Sequence, residues 1–447
     1  MTYDLLIRHA DLLHLNGAEG TGTEVQEDVC IAITGQFIVK IGPAPEFEQD
    51  SAHQVIEASG QLALPGLVNT HAHTPMVLFR GLAEDLPIER WFNDVIWPLE
   101  GRLTPEDAHW GALLALVEMI ESGVTTVADH YLFMDEVARA VEQAGIRAEL
   151  GWTYFSSQGA QGLEQGAAFA QDWQGKAEGR IRTWMAPHAP YTCTDDTLRQ
   201  TAALARSLGV GVHIHAAEDR QQTLSSLEGR GITPIAVLEQ CGILEGRTLI
   251  AHGCGLLTED IALLTPYRDH LGVAHAPATY LRLAMGLTPL RALKAAGIPV
   301  GLASDGVPSN GNFDPFEAMR LTAMLQKHER GDATAMPVLE VLKMASAGGA
   351  AALGRSHDLG TLSAGKLADL ILLDLSGTQH QPLHNAPASV VYNARPGDVR
   401  TVVVDGRVLM LERKLLTLDK ARIIQEANRA AKRLLRSTAP TVQYYAP

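Results

Sequence analysis

Two histidines at the end of a predicted strand are the first sign of chemistry in this sequence. His71 and His73 follow the apolar run LALPGLVN within the segment PGLVNTHAHTPMVLFRG. Because side chains two residues apart on a strand project from the same face, both imidazoles can bind one metal ion. A His-x-His pair alone is a weak signal, so the interpretation depends on polar residues elsewhere in the chain.

Further polar residues each lie just beyond a short apolar run. They are His188, His215, Glu218, His252 and Asp305. In a barrel of parallel strands, the carboxyl ends of the strands meet on one face, and the active site forms there. Together with His71 and His73, His215 and Asp305 would offer three imidazoles and one carboxylate. That set suits a zinc ion with one position left for water, whose pKa the ion lowers to about 7.

The residues around this set suggest proton transfer. Glu218 lies three residues after His215, where the strand has ended. It can face a metal-bound water without binding the ion, which suits a general acid/base. His252 can hold the attacking water or a developing oxyanion. His213 shares a strand face with His215, and a hydrogen-bonded packing role is favoured over metal binding.

Alternating apolar runs predict the elements that position these residues. The strand-like runs are LALPGLVN, VTTVAD, IRAELGW, IRTWMAP, VGVHIH, RTLIAH, LGVAHA and IPVGLAS. Helical stretches such as PEDAHWGALLALVEMIESG and DDTLRQTAALARSLG lie between them, and several end in glycine. Eight strands, each followed by a helix or a long loop, predict an α/β fold with a (β/α)8 TIM barrel over residues 59–358.

The two ends of the chain predict a second domain. Residues 1–58 contain short strand-like pieces, and β character returns over residues 359–447 in GKLADLILLDLS, ASVVYNA and VRTVVVDGRVLM. The Asp-Gly pair in the last of these is a strong hairpin signal. We expect these segments to form a composite β-sandwich domain. The final amphipathic, basic helix is expected to pack on the barrel or at a dimer interface.

Composition excludes several classes of function. The chain has 447 residues and a net charge of -15, which argues against nucleic-acid binding. It contains no stretch of about eighteen apolar residues, and charges near its start interrupt the core that a signal peptide would need. The four cysteines form no CxxC pair and are expected to be free thiols. These features predict a cytoplasmic protein with no membrane partner, and they are compatible with a homo-oligomer.

At the level of motifs, the sequence resembles the amidohydrolase superfamily, and within it the branch of 5′-methylthioadenosine/S-adenosylhomocysteine deaminases. The resemblance covers essentially the whole chain. It is carried by PGLVNTHAHTPMVLFRGLAEDLPIERWFNDVIWPLE, HIHAAE, LIAHG and ASDGVPSNGNFD. It implies one zinc ion held by His71, His73, His215 and Asp305. It also implies a catalytic role for Glu218 and His252, with Asp305 orienting the water.

Glu218 is expected to contact the substrate as well as to transfer a proton, and the same resemblance implies three further substrate contacts. Glu100 matches an acidic residue that holds ribose hydroxyls, His188 matches a histidine that contacts the substrate, and Trp91 falls in the loop that covers the purine. The chain departs from the branch in HAPATYLRLAMG, where Thr279-Tyr280 replaces the usual Ser-Asn pair. The loop YFSSQGAQGLEQG lacks the arginines that relatives often have. This loop therefore lacks the cations expected to bind a homocysteine carboxylate.

The function expected from this combination is a zinc-dependent hydrolytic deaminase of an adenosine-type nucleoside, releasing ammonia. One alternative is a deaminase or dechlorinase of another heteroaromatic ring, such as guanine, a pterin or an s-triazine. A second is an amidase or cyclic-imide hydrolase with two metals bridged by a lysine. The fourth strand, IRTWMAPH, has no lysine, which favours a single metal. A non-catalytic metal-binding barrel would have no need of Glu218.

Overall fold

The strands of this protein belong to two sheets. The computed structural model describes residues 2–15 and 25–436. Its strands, in chain order, are β1 (Thr2–Leu13), β2 (Val25–Thr34), β3 (Phe37–Pro43), β4 (Ser51–Glu57), β5 (Gln61–Pro65), β6 (Leu67–Ala72), β7 (Val124–Tyr131), β8 (Arg147–Tyr154), β9 (Ile181–Pro187), β10 (Gly211–Ala216), β11 (Thr248–His252), β12 (Leu271–His275), β13 (Val300–Leu302), β14 (Leu370–Asp374), β15 (Val399–Val404), β16 (Arg407–Leu411) and β17 (Lys414–Leu415). β6 to β13 form a parallel sheet, and the others form a mixed sheet.

β6 to β13 confirm the predicted (β/α)8 barrel. Each strand pairs in parallel with the next one along the chain. The barrel nearly closes where Ala72 bridges Asp305, whose backbone N–H donates to the carbonyl of His71 (2.9 Å). β7 and β8 are buried along their whole length, as expected for strands covered by helices on one side and packed inside a barrel on the other.

Helices connect the barrel strands and follow the strands of the mixed sheet. The α-helices span Ile88–Arg90, Trp97–Glu100, Pro105–Glu121, Met134–Ala144, Ala160–Trp173, Asp195–Leu208, Arg220–Arg230, Pro234–Gln240, Thr258–Leu264, Pro277–Arg282, Leu290–Ala295, Val307–Asn310, Pro315–Arg330, Val338–Met344, Ala347–Ala352, Ala386–Tyr392 and Lys420–Arg436. A π-helix spans Trp91–Ile96, and 3-10 helices span Ala44–Phe47, Thr74–Phe79, Ser156–Gln158, Thr265–His270 and Pro396–Asp398.

The ends of the barrel helices follow from local sequence. Thr104 caps the helix Pro105–Glu121 by accepting from the Asp107 N–H, and Asp107 accepts in return from the Thr104 N–H. This capping box satisfies two N–H groups that a helix start leaves without partners. Gly209 ends the helix Asp195–Leu208 in the left-handed conformation at φ 68°, which costs a residue without a Cβ little.

The mixed sheet confirms the composite β domain. Its strand order is β17-β16-β15-β14-β5-β1-β2-β3, with β4 paired to β1, so N- and C-terminal segments meet where β5 pairs with β14. The sheet folds over one of its own apolar faces, because Ile33 of β2 and Val403 of β15 belong to the same buried cluster. The predicted hairpin joins β15 to β16, with Asp405 and Gly406 both at positive φ.

Two details differ from the sequence-based expectation. The run LALPGLVN forms two strands, because β5 pairs with β14 in the mixed sheet and only β6 enters the barrel. The segment ASVVYNA, predicted as a strand, is the helix Ala386–Tyr392. The Asn385 side chain caps this helix by accepting from the Ala388 N–H, and Pro387 suits its first turn. These local signals outweigh the strand preference of two valines. The domain limits at residues 58 and 358 stay predictions.

The last helix, Lys420–Arg436, packs on the outside of the barrel. Its buried residues Ile423, Ala427, Ala430 and Leu434 recur at helical spacing. Arg433 forms an ion pair with Asp107 at the start of the helix Pro105–Glu121. Within residues 2–15 and 25–436, no helix combines the length and apolarity needed to cross a membrane.

Candidate active site

The carboxyl ends of the barrel strands bring the predicted site residues together. His71 lies in β6 and His73 directly follows that strand. His215 lies in β10, and His252 is the last residue of β11. Asp305 follows β13 and completes the barrel beside β6. These five side chains lie together at the barrel mouth, as the sequence predicts.

One nitrogen of each of three imidazoles is already occupied by the protein. His73 Nδ1 lies 2.5 Å from the carbonyl oxygen of His130, and His215 Nδ1 lies 2.8 Å from that of His188. His71 Nδ1 contacts His213 Nε2 at 2.9 Å. Partners of this kind fix the ring orientation and leave Nε2 for a metal. His213 therefore has the hydrogen-bonded packing role that its position in β10 favours.

The remaining nitrogen atoms fit a metal ion. Donor atoms of His71, His73 and His215 lie within 4.8 Å of one another, and so do those of His71, His252 and Asp305. His71 Nε2 is buried without a hydrogen-bond partner, and Asp305 Oδ1 lies 3.5 Å from it and 3.1 Å from His73 Nε2. Burial lowers the pKa of the His71 imidazole to about 3, so the ring is neutral, as metal binding requires. The donor set is the one that zinc favours.

Glu218 is held in one position next to this set. Its residue is 7% exposed, and burial raises the pKa of its carboxyl to about 7. The side chain of Gln222, one helical turn later, contacts it twice. Gln222 Nε2 donates to Glu218 Oε1 (3.0 Å), and Gln222 Oε1 accepts from the Glu218 backbone N–H (2.9 Å). A carboxyl with a pKa near neutrality can both accept and donate a proton during one reaction.

Two of the central residues have a strained backbone. His252 adopts φ 79° and Asp305 adopts φ 62°, in the left-handed region that non-glycine residues rarely occupy. Such strain persists only where the surrounding structure holds it, and it is common at active sites. At Asp305 the surroundings include Ser309, whose hydroxyl donates to Oδ2 (3.0 Å).

A cavity of about 720 Å³, including the solvent at its mouth, is lined by three of the candidate metal ligands, His73, His215 and Asp305. The four residues expected to contact a substrate all line it, namely Trp91, Glu100, His188 and Glu218. Glu100 Oε1 accepts from the Tyr131 hydroxyl (2.7 Å), and burial raises the pKa of Glu100 to about 7. His188 stacks on Phe155 with ring centroids 4.7 Å apart.

Trp91 begins the π-helix Trp91–Ile96, which covers one side of the cavity. Its ring packs edge-on against Phe92, which in turn stacks on Trp97. The Trp91 Nε1 atom is buried, and none of the described residues accepts a hydrogen bond from it. A π-helix is rare and often marks a functional site. The side chains of Trp91, Phe92 and Trp97 form an aromatic wall that combines packing with an available hydrogen-bond donor.

Sequence reasoning missed two residues at the end of β7. Asp129 is fully buried and accepts from the Thr74 backbone N–H and hydroxyl, which anchors the turn after His73. Burial raises the pKa of Asp129 to about 6. His130 lines the cavity, and its Nδ1 contacts the Thr153 hydroxyl at 2.8 Å. Asp129 ends the predicted strand run VTTVAD and His130 follows it, so the rule that located the other residues at strand ends would also have found these.

Comparison with known proteins decides the family. Residues 62–409 match the model of the Amidohydrolase family. The chain belongs to that family. The resemblance read from the motifs is thereby confirmed, as is the class of hydrolytic enzyme that acts on C–N bonds.

Three similar proteins show which members of the family this chain resembles. It is 42% identical over 436 residues to the 5-methylthioadenosine/S-adenosylhomocysteine deaminase of Desulforudis audaxviator (strain MP104C), covering 97% of this chain and 99% of the relative. It is 40% identical over 441 residues to the 5'-deoxyadenosine deaminase of Methanosarcina mazei, covering 97% and 98%. A zinc-bound adenosine deaminase from Xanthomonas campestris superposes with a TM-score of 0.92 at 32% identity, covering 98% and 99%.

Proposed function

We propose that this amidohydrolase is a zinc-dependent hydrolytic deaminase of adenosine-type nucleosides. One observation carries the proposal. The four candidate metal ligands lie beside a cavity that is lined by both Glu218 and Glu100. The names of three similar proteins, two from sequence and one from structure, support the same substrate class.

His71, His73, His215 and Asp305 would hold one zinc ion per chain. When bound there, zinc lowers the pKa of a water molecule to about 7 and so supplies a nucleophile at neutral pH. The Nδ1 contacts of the three imidazoles fix the rings and would leave their Nε2 atoms free to bind the ion.

Glu218 moves a proton in this reaction. The oxygen of water bonds to the ring carbon that carries the exocyclic amine, and the C–N bond to that amine breaks. Glu218 delivers one water proton to the adjacent ring nitrogen. Asp305 and His252 orient the water and pass the second proton to the leaving amine. The products are ammonia and a ring that carries a carbonyl group.

Glu100, His188 and Trp91 bind the nucleoside. Glu100 accepts hydrogen bonds from ribose hydroxyls, with Tyr131 holding its carboxylate. The aromatic wall at Trp91 covers the purine, and its buried indole N–H offers a hydrogen bond. A site built to bind a hydroxyl is left with an unpaired polar group when that hydroxyl is missing. The free base adenine is therefore a poor substrate.

Small 5′ substituents suit this cavity better than a charged amino-acid tail. The described residues that line it include no lysine or arginine. Arg230 lies at the adjoining cavity, but it is already paired with Asp195. A homocysteine carboxylate would therefore have no free cation among these residues. Adenosine or 5′-methylthioadenosine should show a higher kcat/KM than S-adenosylhomocysteine.

An ammonia-release assay tests the proposal. The substrates are adenosine, 5′-methylthioadenosine, S-adenosylhomocysteine, adenine, guanine and an s-triazine. We expect the nucleosides to exceed the three free rings in kcat/KM, and Glu100→Ala to narrow the gap between adenosine and adenine. Activity confined to guanine or the triazine would overturn the nucleoside assignment while leaving the hydrolytic chemistry intact.

A matched pair of variants tests the role of Glu218 in the same assay. Glu218→Gln should retain metal and substrate binding while kcat falls by roughly 10²–10⁴-fold, the usual contribution of general acid/base catalysis. Glu228→Gln removes an exposed carboxylate from the helix that follows Glu218 and should leave kcat unchanged. Near-normal turnover by Glu218→Gln would exclude Glu218 from proton transfer.

A further inference from the structure

The backbone carbonyl of His252 accepts hydrogen bonds from hydroxyl groups in the segment that follows β12. The Thr288 hydroxyl donates to it at 2.8 Å, and the Tyr280 hydroxyl approaches it at 3.5 Å. Both residues are 1% exposed. Water therefore does not reach this carbonyl from their side, and a lost hydroxyl would not be replaced by solvent.

Thr288 is itself oriented by a buried histidine. His275, the last residue of β12, places its Nδ1 atom 3.1 Å from the Thr288 hydroxyl oxygen. Because the Thr288 proton is donated to the His252 carbonyl, the His275 ring supplies the N–H of this contact. The result is a directed chain of hydrogen bonds, from His275 through Thr288 to the backbone of His252.

This chain of hydrogen bonds ends on the non-glycine residue with the largest positive φ in the candidate site. His252 has φ 79°, and its neighbour Gly253 has φ 69°. A histidine persists in this conformation only if its peptide groups are held from outside. The carbonyl contact with Thr288 is the shorter of the two hydroxyl contacts at His252. It therefore restrains the peptide that determines where the imidazole points.

We infer that Thr288 is a positioning residue for His252. It keeps the His252 backbone in the left-handed conformation, so that the imidazole faces the reacting water and the substrate ring. The inference rests on the role given to His252 in the proposed function. The segment HAPATYLRLAMG departs from the motif of similar deaminases, and it contains His275 and Tyr280. The inference therefore gives this segment a physical role.

Three variants test the inference. Thr288→Val removes the hydroxyl while keeping the shape, and Thr288→Ser keeps the hydroxyl. Thr248→Val is the matched control: Thr248 is the first residue of β11, is fully buried, and donates to the carbonyl of Ile243 (2.9 Å) at the other end of the strand. Each protein is measured for kcat, KM, zinc content and thermal unfolding with the substrate preferred by the wild-type enzyme.

Thr288→Val should lower kcat about ten- to hundredfold with KM and zinc content nearly unchanged, a typical effect of losing an outer hydrogen-bond partner. Thr288→Ser should restore most of kcat. Thr248→Val should lower thermal stability without lowering kcat. Normal turnover by Thr288→Val, or an equal loss of kcat in Thr248→Val, would overturn the inference.

Two further measurements separate this inference from the proposed function. In a His252→Ala background, Thr288→Val should cause no additional loss of kcat, because Thr288 acts through His252. An additional loss would contradict the inference. Crystal structures of the variants can be determined without substrate. The φ angle of His252 should move away from about 79° in Thr288→Val and stay near 79° in Thr248→Val. An unmoved His252 in Thr288→Val would refute the inference even if the nucleoside assignment held, and absence of nucleoside turnover would leave this structural test valid.

Discussion

At the scale of single residues, the candidate metal centre is defined by which imidazole nitrogens are already used. His71, His73 and His215 each have Nδ1 in contact with the protein. Their arrangement offers one free nitrogen per ring, and Asp305 adds a carboxylate oxygen. The fourth barrel strand, β9, carries no lysine that could bridge a second ion. The residues therefore favour a single ion.

We predict about one zinc-class ion per chain, with activity lost on chelation and restored by added metal. His71→Ala should lose the ion, because it removes a buried ligand. The control His357→Ala removes an exposed imidazole, and this variant should retain the bound ion. Elemental analysis of the active enzyme measures the stoichiometry, and two tightly bound ions per chain would contradict the mononuclear site.

Glu100 is expected to make the protein less stable at alkaline pH. Burial raises the pKa of the Glu100 carboxyl to about 7 from an ordinary value near 4.5, because the folded protein favours the neutral form. The contribution of this neutral carboxyl to the free energy of unfolding is complete below pH 4.5 and is lost as pH rises through 7. Glu100→Gln removes the charge and still offers an amide oxygen to the Tyr131 hydroxyl.

At pH 8, the free energy of unfolding of Glu100→Gln should exceed that of wild type by about 1–3 kcal/mol, since one pKa unit corresponds to about 1.4 kcal/mol and the side chain is only half-buried. At pH 4.5 the two proteins should differ little. Denaturant unfolding of the metal-free proteins at both pH values measures this difference. A wild type more stable than the variant at pH 8 would show that Glu100 is held as a charge by a partner.

At the scale of elements, the site depends on strands that approach their covering helices closely. A Cβ atom at Gly272 in β12 would lie only 2.2 Å from the carbonyl oxygen of Ala352, in the helix Ala347–Ala352. Only a glycine permits this approach. It sets the position of β12, the strand that ends in His275.

Gly272→Ala should therefore destabilise the protein by about 1–3 kcal/mol, the usual effect of overpacking a buried contact. Gly246→Ala, where a Cβ would meet nothing within 4 Å, serves as the control and should change stability by less than about 0.5 kcal/mol. Thermal and denaturant unfolding compare the two. Equal stability of the variants would mean that β12 can shift away from the helix without loss.

At the scale of the whole molecule, a buried ion network joins the barrel to the mixed sheet. Arg147 begins β8, at the end of the barrel opposite the candidate site. Its Nε donates to Asp369 Oδ2 and its Nη2 to Asp405 Oδ1, both at 2.8 Å. All three side chains are nearly inaccessible to solvent. The network connects the two sheets through charges that have no access to water.

Replacing Arg147 with methionine would leave two carboxylates buried without their cation. Loss of one partner of a buried pair typically costs about 3–5 kcal/mol, so Arg147→Met should lower the free energy of unfolding by about that much. Arg139→Met, which breaks an exposed pair with Glu136, should cost about 1 kcal/mol or less. The kcat of folded Arg147→Met should stay near that of wild type, because the network lies far from the barrel mouth. A stability loss no larger than that of Arg139→Met would contradict this role.

The sequence alone determined the barrel and the main residues at its mouth. Strand runs, helix caps and terminal glycines are local signals, and a parallel barrel always collects the carboxyl ends of its strands. His71, His73, His215 and Asp305 could therefore be assigned from their positions after apolar runs. The same local reasoning failed at Ala386–Tyr392, where the cap of Asn385 and the following proline outweighed the strand preference of the valines.

Only the tertiary structure decided how these residues are held. Gln222 contacts Glu218 because a helix begins at Arg220 after a short turn. Thr288 reaches the carbonyl of His252 from 36 residues away. The left-handed backbone of His252 could not be assigned from its residue type, because most non-glycine residues have negative φ. Local patterns set the period and direction of each element, whereas contacts across the barrel depend on its register and closure, which arise from packing of the whole chain.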